Sequence, residues 1–129
     1  MVIDTSALIA ILLNEPETVH FATAIAEAPS RLVSAVSALE AAIVIEVKKG
    51  SVGSQLLDDL LAAMQVNIAS FDESQFRLAR EAFAKFGKGR HPASLNFGDC
   101  CAYALALKTG EPLLFKGQDF SATDITVAA

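Results

Sequence analysis

Histidine and cysteine are both nearly absent, two of each in 129 residues, and each shortage excludes a class of chemistry. Catalysis by positioned general acids and bases is usually built on histidine. Here His20 falls in an early helical stretch and reads as a surface residue, while His91 stands between Arg90 and Pro92 in a loop. Cys100 and Cys101 are neighbours in a helical pattern, where a bond between them would strain the backbone. A thiolate metal site needs further ligands at suitable spacing, and none are present. The pair reads as small buried hydrophobes of a reducing compartment.

Long apolar runs are missing too. The richest, Leu32–Val47, is interrupted by Ser34, Ser37, Glu40 and Glu46, so no stretch matches a membrane span. The opening Met1-Val2-Ile3-Asp4 lacks the basic segment that begins a secretory signal, and a cytoplasmic protein is expected. The apolar share is nonetheless high, 53%, with mean hydropathy +0.43. That excess points to surface covered by a partner or a second copy, as in a homodimer.

Basic residues are lacking from the first 30, which hold four acids. A net charge of −5 argues against a nucleic-acid partner if taken as one number, but the distribution is uneven. Arg77, Arg80, Lys85, Lys88 and Arg90, half of the ten basic residues, fall in one segment with Glu81 as its sole acid. A local stripe of this kind can follow a phosphate backbone in an otherwise acidic protein. A solvated helix face explains it equally well.

A chain of this length reads as one domain, residues 1–129, with core enough to fold without disulfide or metal. Val2-Ile3 is a short β-branched strand ending abruptly at Asp4. Further strands are predicted over Arg31–Ser34, Val66–Ser70, Pro112–Phe115 and Ile125–Val127. Helices are predicted over Ala7–Leu13, Glu17–Ala28, Ser34 or Ser37 to Lys49, Gly53–Gln65, Asp72–Phe86 and Asn96–Lys108. The alternation implies the α/β class: an α/β/α sandwich with a mostly parallel, five-stranded sheet. Right-handed crossovers then carry successive strand ends to one edge.

Acids collect at that edge. Asp4 closes the first strand, and its bland reading is a helix cap. Glu40 lies in the apolar stretch Ala35–Ile45, a helix expected to be buried on most of its circumference, where an ionised carboxylate needs a cation or donor. Its bland reading is a capping box with Ser37. Asp99 has cap spacing from Asn96 but opens the very apolar run Cys100–Leu107. Asp119 follows Leu113-Leu114-Phe115 through Lys116-Gly117-Gln118, and its bland reading is a turn residue. Asp124, at the start of the last strand, reads as structural. Each acid alone favours the bland account; four at matching strand-end positions reverse it. Four converging carboxylates raise one another's pKa unless a cation neutralises them. Oxygen-only ligands select hard ions, so Mg²⁺, or Mn²⁺ in its place, is expected. This is the layout of metal-assisted phosphodiester hydrolysis, in which one ion, or two about 4 Å apart, activates water.

The same residues form an ordered set. Val2-Ile3-Asp4-Thr5-Ser6-Ala7-Leu8, the mid-helix Glu40, Asn96-Phe97-Gly98-Asp99-Cys100-Cys101-Ala102-Tyr103 and Leu113-Leu114-Phe115-Lys116-Gly117-Gln118-Asp119-Phe120 closely resemble PIN-domain ribonucleases of the VapC type, the toxins of toxin–antitoxin pairs. The resemblance spans essentially the whole chain. It implies a PIN-like fold with the first strand central, flanked by the second and fourth. It further implies Mg²⁺-dependent endonucleolytic cleavage of RNA by a metal-activated water, with Asp4, Glu40, Asp99 and Asp119 as metal-binding catalytic acids and Ser6 in support. Homodimers and a small cognate antitoxin covering the active-site groove are implied as well. Gln118 is a departure: related sequences often carry an acid there, which bears on a second metal ion. Lys85, Lys88 and Arg90, just before the Asp99 helix, are candidates for gripping the RNA backbone.

The rival from another class is a receiver-like phospho-acceptor module, also α/β, with Asp72 as acceptor and Lys116 as its lysine. Such a site wants adjacent acids after the first strand, where Thr5 and Ser6 follow Asp4, and it gives Glu40 no role. A haloacid-dehalogenase-type phosphatase fails similarly, with Ser6 where its second Asp belongs.

Overall fold

The computed structural model describes all 129 residues. Val2 and Ile3 form β1 (Val2–Ile3), and the chain turns at once into α1 (Thr5–Leu12), because Asp4 in extended conformation accepts the Ser6 N–H as an N-cap. There follow α2 (Thr18–Glu27), β2 (Leu32–Ser34), α3 (Ala35–Lys49), α4 (Ser51–Ala63), β3 (Asn67–Ala69), α5 (Glu73–Phe86), α6 (Phe97–Thr109) and β4 (Leu113–Leu114). The start of α3 is set by Ser34, whose hydroxyl accepts the Val36 N–H at 3.2 Å. Ser37 and Glu40 therefore lie inside the helix and form no capping box. Lys48 and Lys49 face the negative end of α3, and Gly50 ends it at φ 67°.

All strand pairs are parallel, in the order β3-β2-β1-β4. The first strand is thus central, between the second and fourth. The sheet has four strands where five were predicted. The fifth is reduced to a single parallel bridge of Val127 to Leu113, carried by the Leu113 N–H to Thr126 O and the Ala128 N–H to Leu113 O, both at 2.9 Å. In this register a further bond would run from the Glu111 N–H to the Asp124 carbonyl, but the Glu111 N–H donates to the Thr109 hydroxyl at 3.3 Å instead.

Alternation along the strands divides the apolar residues between two layers. Ile3, Val33 and Leu114 point into a core closed by α1 to α4 through Leu8, Ile25, Ile45 and Leu57. Val2 and Leu113 point the other way, against Ala79 and Ala82 of α5 and Leu105 of α6. α5 and α6 run antiparallel: Lys108 near the end of α6 pairs with Asp72 at the start of α5 at 2.7 Å, and Phe86 at the end of α5 packs on Tyr103. The loop joining them consequently lies at the end of α6 that carries Asp99. No helix is long and apolar enough to cross a membrane.

α3 and α4 meet backbone to backbone at Gly53, where a Cβ would stand 2.5 Å from the Ile45 carbonyl oxygen. Gly53→Ala is expected to lower the unfolding free energy by about 1–3 kcal/mol, as overpacking does. Asp58→Ala, on the exposed side of the same helix, should change it by no more than about 0.5 kcal/mol. Urea denaturation of the two variants checks this, and equal stabilities would refute it.

Candidate active site

Because every strand is parallel, the carboxyl ends of β1 and β4 open on the same edge, the place where α/β sheets bind ligands. Asp4 stands there at the end of β1 and is only 4% exposed. Its Oδ2 accepts two hydrogen bonds from Ser6, from the backbone N–H at 3.0 Å and the hydroxyl at 2.6 Å. Ser6 Oγ in turn accepts the Lys116 N–H at 2.9 Å, which ties the exit of β4 to the exit of β1. Burial pushes the Asp4 carboxyl above its ordinary range, the Ser6 bonds oppose that, and the charge of Glu40 adds to it.

Glu40 approaches from α3. Thr5 Oγ1 donates to its Oε1 at 2.7 Å, sharing the proton with the Ser37 carbonyl at 3.1 Å. Gly98 of α6 lies directly against the carboxylate: a Cβ there would fall 2.6 and 2.7 Å from the two oxygens. The missing side chain is the cradle in which Glu40 sits.

Asp99 is held by a reciprocal capping box at the start of α6. Its N–H donates to Asn96 Oδ1 at 2.9 Å, and the Asn96 N–H donates to its Oδ2 at 3.0 Å. Burial, with the charges of Asp4, Asp119 and Glu40, pushes its carboxyl up to about 6 against the opposing Asn96 bond. The charges of Asp4, Asp119 and Glu40, on three other segments, are near enough to act on Asp99. Asp119, exposed, begins a short 3-10 turn, Asp119–Ala122, and its side chain makes no hydrogen bond.

A common pattern runs through three of the four. Ser6 engages Asp4 Oδ2, Thr5 engages Glu40 Oε1 and the Asn96 N–H engages Asp99 Oδ2, leaving the second oxygen of each without a side-chain donor. No three of the acids close into a ligand cage on their own. Lys and Arg are kept away: Lys116 pairs with Glu15 at 3.0 Å and Glu17 at 3.2 Å, Lys108 with Asp72 and Arg77 with Glu73.

Several expectations are corrected by the fold. α3 is not buried on most of its circumference, since Leu39, Ile43 and Val47 are exposed and form an apolar outer face beside exposed Phe97. Thr5, Gly98 and the Lys116 N–H were not singled out from the sequence as parts of the site. Thr5 pairs across 35 positions, a contact no local pattern reveals, whereas a glycine early in a helix, next to an acid, was a readable signal for Gly98. Asp72 caps α5, accepting from Ser74, the Gln75 N–H and Lys108, which hold its carboxyl well below the usual range. With Lys116 turned to Glu15 and Glu17, the receiver-like pairing of Asp72 and Lys116 does not form. Lys85, Lys88 and Arg90 are exposed and free of ion pairs, with Arg90 stacked over Phe83 at 5.5 Å. His91 is a loop brace: Nδ1 accepts the Ala93 N–H at 3.0 Å and the ring meets Phe86 edge-on. His20 binds the Ala129 carbonyl oxygen at 2.8 Å. Burial pushes the Cys100 and Cys101 thiols up to about 11, so they stay protonated.

A parallel sheet with an acid-lined edge defines a class of protein, and the comparison is direct: the family model described as the PIN domain matches residues 1–125. A Ribonuclease VapC of Mycolicibacterium smegmatis is 50% identical over 125 residues, 97% of each chain. Ribonuclease VapC30 of Mycobacterium tuberculosis is 47% identical over 129 residues, covering 100% of this chain and 98% of the relative. The chain belongs to the VapC ribonucleases of the PIN-domain family. Among solved structures, the Mycobacterium tuberculosis toxin VapC20, titled as cleaving the sarcin-ricin loop, has a TM-score of 0.78 over 97% of this chain and 95% of its own, at 16% identity. A toxin–antitoxin complex from Klebsiella pneumoniae has a TM-score of 0.73 over 98% and 94%, also at 16% identity. At such identities these two speak for the fold.

The raised Asp99 carboxyl has a pH signature. The folded group protonates near pH 6 and the unfolded one near 3.8. Between these values the native state binds more protons, so this group's contribution to stability falls as pH rises. In metal-free protein, wild type is expected to gain stability relative to Asp99→Asn as pH is lowered from about 7 to about 5. Urea titrations of both at each pH check the sign; parallel curves would refute it.

Proposed function

We propose that this chain is a Mg²⁺-dependent endoribonuclease, the toxin of a toxin–antitoxin pair, and that Asp4, Glu40, Asp99 and Asp119 hold the metal. The observation that carries the proposal is the half-engaged carboxylate: on Asp4, Glu40 and Asp99 one oxygen is anchored by a protein donor and the other is left without one. Ligand carboxylates oriented in this way are characteristic of metal sites. The donor set suits the ion, being all oxygen, negatively charged and without a lysine or arginine among its partners. An open set also agrees with Mg²⁺, which keeps several waters, with Mn²⁺ as a substitute. When bound, the ion supplies Lewis acidity toward water and phosphate.

The chain's own part is orientation. Ser6 fixes Asp4 and, through the Lys116 N–H, the register of the loop that leads to Asp119. Thr5 and the Gly98 cradle fix Glu40. Asn96 fixes Asp99. Lys85, Lys88 and Arg90, at the same end of the molecule as Asp99, are the candidates to hold RNA phosphates, positioning the substrate without reading its sequence. Gln118 contributes no carboxylate, which leaves the four acids as the whole charged set. A small cognate antitoxin covers this crevice in the silenced state; a toxin–antitoxin complex is among the structures of similar fold. The setting is the cytoplasm, where RNA and antitoxin are both at hand.

Purified protein freed of any bound partner is expected to cut total cellular RNA in Mg²⁺ or Mn²⁺ and to lose that activity in EDTA. Asp99→Asn should reduce it by more than the roughly 10–100-fold that loss of a supporting group costs. Cleavage that survives both treatments would sink the metal–carboxylate reading. A homodimer is the second expectation, with the uncharged face of Leu39, Ile43, Val47 and Phe97 as the covered surface. Ile43→Asp should lower the mass measured by light scattering from that of two chains to that of one, and an unchanged mass would refute this assignment.

A further inference from the structure

Of the four acids, Asp119 alone has no anchor on its own side chain. It sits exposed at the start of a 3-10 turn, two residues after Gly117 at φ 107°. Its position is therefore set by whatever holds the loop between β4 and the terminal bridge. Three ties do so. Before Asp119, the Lys116 N–H donates to Ser6 Oγ at 2.9 Å. Next to it, Phe120 is buried against Phe115, with ring centroids 5.0 Å apart. After it, Asp124 Oδ1 accepts the Tyr103 hydroxyl at 2.5 Å.

The last tie differs from the other two in what it joins. Tyr103 is on α6, four positions beyond Asp99 and so on the same side of that helix. It is buried and packs on Phe86. Its bond to Asp124 is the one side-chain hydrogen bond between α6 and the segment that carries Asp119. A buried tyrosine hydroxyl needs a partner, and here it reaches a carboxylate across the edge of the domain. Thr123 Oγ1, donating to the Phe120 carbonyl at 2.7 Å, makes the stretch from Phe120 to Asp124 a stiff bracket that carries the constraint back toward Asp119.

We infer that Tyr103 and Asp124 are a positioning pair that sets the distance of Asp119 from Asp99 and so the affinity of the crevice for its divalent ion. Neither residue is a ligand; both act through Asp119. The inference rests on the metal reading given above and adds to it two residues outside the acid set. It also gives Asp124, which the sequence marks only as the start of a strand, a specific task.

The test is Mg²⁺ binding to the metal-stripped full chain by titration calorimetry, with the thermal unfolding midpoint measured in parallel without metal. Tyr103→Phe and Asp124→Ala are expected to weaken Mg²⁺ binding about tenfold, within the range for partners that orient ligands. Asp124→Asn, whose amide oxygen can still accept the tyrosine hydroxyl, should restore affinity to within about threefold of wild type. Lowered midpoints with wild-type affinity in all three variants would overturn the inference, leaving a structural tie only. Asp99→Asn separates the two readings. If it abolishes binding while Tyr103→Phe leaves binding intact, the pair has no positioning role and the metal reading stands. If the wild type itself binds no Mg²⁺, both fall together.

Discussion

Asp4 is a carboxylate almost removed from water, with the charges of Glu40 and Asp99 close by. Burial and like-charge repulsion both work against its ionised form. The surroundings compensate locally, with short polar groups rather than with cations. Ser6 gives two hydrogen bonds to one oxygen, and the carboxylate sits at the positive end of α1. The cost that remains is visible in the upward shift of Asp4 and Asp99, and an ion of opposite charge removes it.

Much of the architecture follows from keeping that edge charged but orderly. β1 is two residues long and stops at the acid. Helix N-termini carry Asp4 and Asp99, where the macrodipole favours a negative group. α6 comes close to α3 only because Gly98 has no side chain to hold Glu40 away. The cations of the chain are sent outward, Lys116 to Glu15 and Glu17, Lys108 to Asp72. A lysine turned inward would satisfy the acids permanently and leave nothing for a ligand to do.

The acids were legible because each follows a recognisable local signal. Asp4 and Asp119 come just after apolar strands, Asp99 has Asn96 three residues ahead, and Glu40 stands out in an apolar run. The parallel sense of the strands followed from the alternation of elements, and their order from the family resemblance. The apolar run of α3 was open to two readings, because composition cannot say whether Leu39, Ile43 and Val47 face a core or solvent; here they face solvent. The fifth strand failed for a reason finer than propensity, the Thr109 hydroxyl competing for the Glu111 N–H. The pairs Thr5–Glu40, Ser6–Lys116 and Tyr103–Asp124 join residues 35, 110 and 21 positions apart. Such contacts exist only once the sheet has brought its strand ends together, so no window of sequence contains them.

The double duty of the acids has a genetic consequence. Asp4 caps α1, worth about 1 kcal/mol, and Asp99 closes the capping box that Asn96 opens on α6, so losing either acid also removes a hydrogen bond from a helix start. Glu40 lies in mid-helix and Asp119 on an exposed turn, and neither side chain caps anything. If the four acids hold the metal as proposed, substitutions there would fall into two kinds: those at Asp4 or Asp99 would weaken the fold as well as the site, whereas those at Glu40 or Asp119 would leave a folded, inert decoy with its outer surfaces intact, still able to occupy whatever binds there.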